Sequence, residues 1–267
     1  MQLHISDRAF ATLADTFHRV SGIRLGDSKR QMVIGRLQRL AGERGVASLD
    51  EYVEQVIRGG DQKELTRVID RLTTNETYFF REPAHFDYLA QILANRPAGS
   101  GPFRVWSAAS SSGEEAYSIA MLLADKLGKT GWEIIGTDLS TAVLQSAQKA
   151  LYPMERARDM PASYLKRFCL RGQGPYEGQL LVDKALRANV HFMQANLMQK
   201  LPDLGSFDVV FLRNVLIYFD PPSKQEIVGR VAPLIKKGGF LFTGHSESLS
   251  QLPPGLAHVQ PAIYART

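Results

Sequence analysis

Cysteine is almost absent from this chain, with Cys169 the single one. That excludes an internal disulfide and a cysteine-rich zinc site. Cys169 itself reads as a small buried hydrophobe. No stretch approaches the ~20 apolar residues that a membrane span needs. The opening MQLHISDRAF lacks a basic region leading into an apolar run, so no secretory leader is expected. The dinucleotide fingerprint G-x-G-x-x-G is missing, which argues against a pyrophosphate cradle. No His–Asp or Cys–His pairing suggests a general base or an activated nucleophile, and His245 and His258 read as structural. There is no internal repeat and no low-complexity tract. These absences together fit the cytoplasm.

What is present is an ordinary globular composition. Of 267 residues, 44% are hydrophobic and 22% charged, enough to build a real core. At about 150 residues per domain, the length suits one large domain or two modest ones. The net charge of +5 and pI of about 9.3 permit an acidic partner. They do not choose between nucleic acid, an anionic membrane and an acidic protein surface.

The chain divides by pattern. Phe10, Leu13, Phe17 and Val20 recur at helical spacing, as do Leu65, Val68, Ile69 and Leu72. Ser48 and Glu51 have capping-box spacing before a helix through Tyr52, Val53 and Val56. Residues 1–72 therefore read as an all-helical domain, and 73–102 as a linker. From Phe103 onward, the apolar runs FRVWSAA, WEIIGTD, VHFMQAN, FDVVFLRN and GGFLFTGH are separated by helical stretches. EEAYSIAMLLADKL, a stretch from Ser140 to Ala150 and another from Pro221 to Ile235 are the helices. Alternating strands and helices predict a parallel α/β sheet over 103–267. Residues 151–189 interrupt the rhythm and are too long for a connection. PYEG followed by QLLVD there suggests a small strand-and-turn insertion.

In such a sheet, ligands bind outside the carboxyl ends of the strands. The first strand leads into SAASSSGEEAYS, whose small residues let a ligand approach the backbone. Glu114 and Glu115 stand where a phosphate-binding helix would start, and suit a cationic ligand or simply a helix N-terminus. Asp138 ends the second strand, where an acid accepts from ribose hydroxyls or caps the next helix. A nucleoside bearing positive charge, such as the sulfonium S-adenosylmethionine, fits this combination.

Three segments sharpen the reading: LTTNETYFFREP (72–83), VWSAASSSGEEAYSIA (105–120) and VVFLRNVLIYFD (209–220). Together they resemble the CheR family of chemotaxis receptor glutamate methyltransferases, and the likeness runs on to GGFLFTGHSESL. The resemblance implies an α/β architecture: a small all-helical N-terminal domain, a linker, and a Rossmann-like methyltransferase domain carrying an inserted antiparallel β-subdomain. It implies cofactor contacts from Asn75, Thr77, Arg81, Glu115, Asp138, Asn196, Leu197, Arg213 and Asn214. Arg81 and Tyr218 would hold the substrate glutamate. Many members have Cys or Thr within the loop that is SSSG here, and Pro where Ala116 stands. Neither position supplies a catalytic group.

The implied reaction is methyl transfer from S-adenosylmethionine to a receptor glutamate, leaving S-adenosylhomocysteine and a glutamyl methyl ester. A glutamate carboxylate, pKa near ~4.3, is already ionised at neutral pH. No general base and no metal are then expected. Lys29, Arg36 and Arg39 fall within about a quarter of a helix circumference and would dock an acidic receptor helix; a solvated face is the alternative. The β-subdomain of some members tethers a receptor C-terminal tail, and this sequence leaves that open. The expected protein is monomeric, not inserted in a membrane, and recruited to receptor clusters. Three rivals remain: a nucleic-acid methyltransferase, which lacks a recognisable RNA module here; a catalytically silent S-adenosylmethionine sensor; and a nicotinamide dehydrogenase, disfavoured by the missing glycines.

Overall fold

In the computed structural model, residues 4–249 and 251–267 are described. Residues 1–3 of the segment read for a leader lie outside them. The chain forms two compact units: one holds the chain up to Thr74 with Tyr218–Ser223, the other Asn75–Ile217 with Lys224–Thr267.

The first unit is helical: α1 (Asp7–Ser21), α2 (Arg30–Glu43), α3 (Leu49–Val53, running on through one π-helical turn at Glu54–Arg58) and α4 (Gln62–Leu72). Three of the four starts, those of α1, α3 and α4, are set by a side chain; α2 instead continues from a 3-10 turn at Asp27–Lys29. Ser6, Ser48 and Asp61 accept from the backbone N–H groups of Ala9, Glu51 and Glu64, which the first helical turn leaves without partners. Ser48 and Glu51 do cap as their spacing predicts, but the Glu51 carboxylate reaches one residue further back, to Ala47 N–H. Gly22 ends α1 at φ 77°, its N–H donating to His18 O. Phe10, Leu13, Phe17, Val33, Leu37, Leu40, Tyr52, Val68 and Leu72 are buried. The Tyr52 hydroxyl donates to the buried Glu64 carboxylate at 2.5 Å, and Arg67 pairs with that same carboxylate at 2.9 Å.

The second unit is built on a seven-stranded sheet in the order β6-β2-β1-β7-β8-β10-β9. Its strands are β1 (Phe103–Ala108), β2 (Trp132–Asp138), β6 (Val190–Gln194), β7 (Phe207–Leu212), β8 (Ile235–Thr243), β9 (Leu256–Gln260) and β10 (Ile263–Arg266). The pairs from β6 to β8 are parallel; β10 runs antiparallel to both β8 and β9. β1 and β7 are neighbours although five strands intervene in sequence, so the strand order reverses between them. The central strands are apolar throughout because both faces are covered: Val105, Trp106, Val209, Val210 and Phe211 are wholly buried. The helices of this unit are α5 (Pro83–Ala94), α6 (Glu114–Leu127), α7 (Thr141–Lys149), α8 (Ala162–Phe168) and the single turn α9 (Lys184–Arg187); α10 is Pro221–Val231. Helix α10 stops at Val231, short of the predicted Ile235, and gives way to a 3-10 turn at Ala232–Leu234. Pro233 has no N–H to continue an α-helical ladder.

The insertion after α7 contains a three-stranded antiparallel sheet, β3 (Leu151–Pro153), β5 (Gln179–Val182) and β4 (Cys169–Arg171) in that order. Tyr152, Leu180 and Val182 turn inward into the same core as Tyr117 and Val190. Cys169 is half-buried, and burial pushes its thiol up to about 12, far from a reactive thiolate.

Candidate functional site

The strand-order reversal at β1 and β7 is where a doubly wound sheet opens a crevice beyond its strand ends. The loop from β1 to α6 occupies that end. Ala109 and Ser111 have φ 61° and 50°, and Gly113 has φ 95°. A Cβ on Gly113 would stand 2.8 Å from Ala147 Cβ and 3.0 Å from the Tyr152 hydroxyl, so only glycine fits. Tyr152 of the insertion donates to Ser112 O at 2.7 Å, bracing the loop from outside. Ser110 Oγ is buried and has no hydrogen-bond partner among the described residues.

Asp138, buried at the end of β2, reads as both ligand and cap in sequence. One carboxylate oxygen accepts from Ser111 N–H at 2.9 Å, the other from Ser140 N–H at 2.9 Å. Ser140 itself is the side-chain cap of α7. Asp138 thus ties the β1 loop to the start of α7. Beside β2, β6 ends at Gln194, and Ala195 N–H donates to Asp138 O. Asn196 follows; its side-chain oxygen accepts from Met198 N–H at 2.9 Å, and Leu197 is buried.

The linker segment lies along the same loop. Asn75 O accepts from the Ser111 hydroxyl at 3.0 Å. Thr77 O accepts from the Arg156 guanidinium, Phe79 N–H donates to Arg156 O, and Phe80 N–H donates to Ser118 Oγ at 2.9 Å. The Arg81 guanidinium donates to Glu76 O at 3.0 Å and lies 5.8 Å from the Tyr78 ring centroid.

Arg213, just beyond β7, is the electrostatic centre. Its side chain is 1% exposed and bridges Glu82 at 3.1 Å and Glu115 at 3.0 Å, and also donates to Arg81 O. Glu115 takes a second bond from the Ser107 hydroxyl at 2.7 Å. Burial pushes the Glu115 carboxyl up, and the Arg213 charge and the Ser107 bond work against that. Burial likewise acts to raise Glu82, but the Asn214 amide and Arg213 outweigh it and hold its carboxyl below the usual range. Glu114, the other acid of the pair, is buried: its carboxyl is pushed up by burial, against bonds from Ser112 and its own N–H and the Arg156 charge 3.7 Å away. Asn214 follows at φ 57°, its amide donating to Glu82 at 3.0 Å.

The predicted cofactor residues Asn75, Thr77, Arg81, Glu115, Asp138, Asn196, Leu197, Arg213 and Asn214 all belong to this unit. Asp138 ends β2, Asn196 and Leu197 follow β6, and Arg213 and Asn214 follow β7. Tyr218 closes a 3-10 turn at Leu216–Tyr218 and begins the stretch Tyr218–Ser223 grouped with the helical unit. Lys29, Arg36 and Arg39 belong to that unit as well. Lys29 sits in a 3-10 turn before α2, so a uniform helical count from Lys29 to Arg36 crosses a change of geometry. Arg36 turns inward: its guanidinium donates to Leu72 O at 2.8 Å and Thr73 O at 3.1 Å. There it satisfies carbonyls at the end of α4, a structural task the spacing did not reveal. Arg39 pairs with Glu43 at 2.8 Å.

Two groups escaped the sequence reading. Glu82 looks like one more charge before a proline, yet it is the partner of both Arg213 and Asn214. Glu247 is buried and accepts three backbone N–H groups, from Asn214, Gly244 and Ile217. Glu82, His85 and His245 also bring one ligand-capable atom each to within 4.8 Å of one another. Arg213, which already shares Glu82, opposes a dication there, and no metal is assigned.

Residues 75–264 match the family model described as "CheR methyltransferase, SAM binding domain", and residues 8–73 match "CheR methyltransferase, all-alpha domain". A chemotaxis protein methyltransferase of Escherichia coli strain K12 is 41% identical over 267 residues, covering 99% of this chain and 92% of that protein. One from Salmonella typhimurium is 39% identical with the same coverage. Chemotaxis protein methyltransferase 2 of Pseudomonas aeruginosa is 37% identical, covering 99% of this chain and 95% of that protein.

Proposed function

From the premise that this chain belongs to the CheR methyltransferase family, and so is an S-adenosylmethionine-dependent methyltransferase of chemotaxis, we propose that it esterifies glutamate side chains on chemotaxis receptors. The observation that carries the reading is the Glu82–Arg213–Glu115 chain around a buried arginine, which joins the segment bearing Arg81 to the strand ends. A site with two acids around one buried arginine, a glycine-tight loop and no G-x-G-x-x-G suits a cationic nucleoside better than a pyrophosphate.

Asp138 and the loop Ser110–Gly113 would hold the nucleoside. Asn75, Thr77, Asn196, Leu197, Glu115, Arg213 and Asn214 would complete the pocket. S-adenosylmethionine supplies an electrophilic methyl group on a sulfonium. The residues of the chain have only to bring an acceptor carboxylate, already ionised, into line and strip its water. Arg81 has a planar fork for that carboxylate, and Tyr218 a hydroxyl. No residue then acts as general base. The helical unit, with Lys29 and Arg39 at its surface, would meet the acidic receptor helix, and the small sheet β3-β5-β4 would be the place for a receptor tail if one binds.

The test is transfer of radiolabelled methyl to receptor-containing membranes, followed by mild alkali. The reading expects alkali-labile label released as methanol, reduced about 100-fold in Arg81→Ala through loss of alignment. Alkali-stable label would place the methyl group on another acceptor. Binding of S-adenosylmethionine with no transfer to any receptor would favour a sensor.

A further inference from the structure

Glu247 is not among the residues that the family resemblance assigns to the site, yet its carboxylate organises one side of it. It is 4% exposed. Oε2 accepts from Asn214 N–H at 2.6 Å and from Gly244 N–H at 2.7 Å, and Oε1 accepts from Ile217 N–H at 3.1 Å. A peptide N–H that loses its partner in a buried place is costly, and here three share one acceptor group. The turn that presents the carboxylate is closed by Glu247 N–H donating to Gly244 O at 2.9 Å.

What this carboxylate fixes is specific. Asn214 stands at φ 57°, a left-handed conformation uncommon outside glycine that asparagine adopts more readily than most residues, and its contacts hold it there. Its N–H is held by Glu247 and its side-chain amide by Glu82, so two carboxylates pin it from opposite ends. The fit is close: a Cβ on Gly244 would stand 2.7 Å from both Asn214 Nδ2 and Glu247 Oε2. The loop so held runs from Arg213 to Ile217 and delivers the chain to Tyr218.

We propose that Glu247 is a positioning residue for binding of the methyl donor, acting through Asn214 by imposing its left-handed backbone. The inference rests on the reading of Asn214 as a donor contact. It requires no contact between Glu247 and the donor itself.

The experiment is calorimetric titration of the full chain with S-adenosylhomocysteine, with no acceptor present. The wild type, Glu247→Gln, Asn214→Ala, the double variant and Gly244→Ala are compared. Glu247→Gln places an amide N–H₂ against backbone donors and should weaken binding about 10-fold, the scale of one charge-assisted bond. In the Asn214→Ala background the same substitution should cost less than about 2-fold, because the residue it aims is gone. Gly244→Ala keeps the carboxylate but sets a Cβ against both it and Asn214, so it disturbs the pair as a unit and should also weaken binding if Glu247→Gln does not fold. Full additivity of the two single effects would overturn the proposal, as would wild-type affinity in a folded Glu247→Gln or Gly244→Ala. A wild-type chain that failed to bind would overturn the donor reading instead, and methyl transfer to receptors is scored separately from this binding.

Discussion

Replacing Arg213 by methionine is expected to destabilise the methyltransferase unit by about 3–5 kcal/mol and to abolish donor binding. The size follows from what would remain. Arg213 is 1% exposed and compensates two carboxylates, Glu82 at 3.1 Å and Glu115 at 3.0 Å. Methionine fills much of the volume but leaves the largely buried Glu115 carboxylate with the Ser107 hydroxyl as its remaining side-chain partner among the described residues. Burial already pushes that carboxyl up, and losing the arginine would drive it further toward the neutral acid. Removing both sides of the pair should therefore hurt less than removing one: Glu115→Gln together with Arg213→Met should recover part of the loss. Urea unfolding of the two single variants and the double measures this. If Arg213→Met cost under about 1 kcal/mol, the bridge would be an incidental contact and the account of the site's frame would be wrong.

The second large effect is one of pH. His85 is 1% exposed on α5, and burial together with the Arg213 charge lowers it from 6.5 to about 3. Glu82, 3.3 Å from Nδ1, opposes the shift, while His245, with its ring centroid 4.9 Å away, adds to it. Among the described residues those are the ionisable groups acting on the ring; Phe242 packs against it as well. The sign is fixed by proton counts. Between about pH 6.5 and about pH 3 the unfolded chain carries a proton on this histidine that the folded chain does not. Acid therefore draws the equilibrium toward the unfolded state, with a slope approaching ~1.4 kcal/mol per pH unit. Stability should fall through this window and be fullest above it. His85→Leu, which cannot take up a proton in either state, should show a flatter profile from pH 6 to pH 4. A variant with the wild-type slope would mean that another group governs acid unfolding.

Much of the architecture is legible in the sequence because the signals are physical. The five apolar runs from FRVWSAA to GGFLFTGH became the parallel strands β1, β2, β6, β7 and β8; in β1, β2 and β7 the run reflects burial on both faces, whereas β6 at the sheet edge leaves His191, Met193 and Gln194 exposed. EEAYSIAMLLADKL became α6 residue for residue. The terminal pair β9 and β10 was not foreseen: each is short, joined by a tight turn with Ala262 at φ 63°, and carries no clean alternation. The insertion was visible as a break in rhythm, with β5 read from QLLVD. Its strands β3 and β4 have three residues each, too few for a periodicity.

The site shows the same division. Asp138 and the β1 loop could be placed from their position after strands. Glu82, Glu247 and the inward turn of Arg36 could not, because their roles depend on distant partners: 131 and 132 residues away for Glu82, 30 and 33 for Glu247, and 36 and 37 for Arg36. No local pattern distinguishes a carboxylate that receives three backbone N–H groups from one that faces water.

The most direct test of the central claim is peptide mass spectrometry of receptor methylation helices after incubation with the enzyme and S-adenosylmethionine. The account predicts an added methyl group localised to glutamate side chains, removed by mild alkali. Methylation localised instead to lysine, to a chain terminus or to nucleic acid carried with the membranes would contradict it.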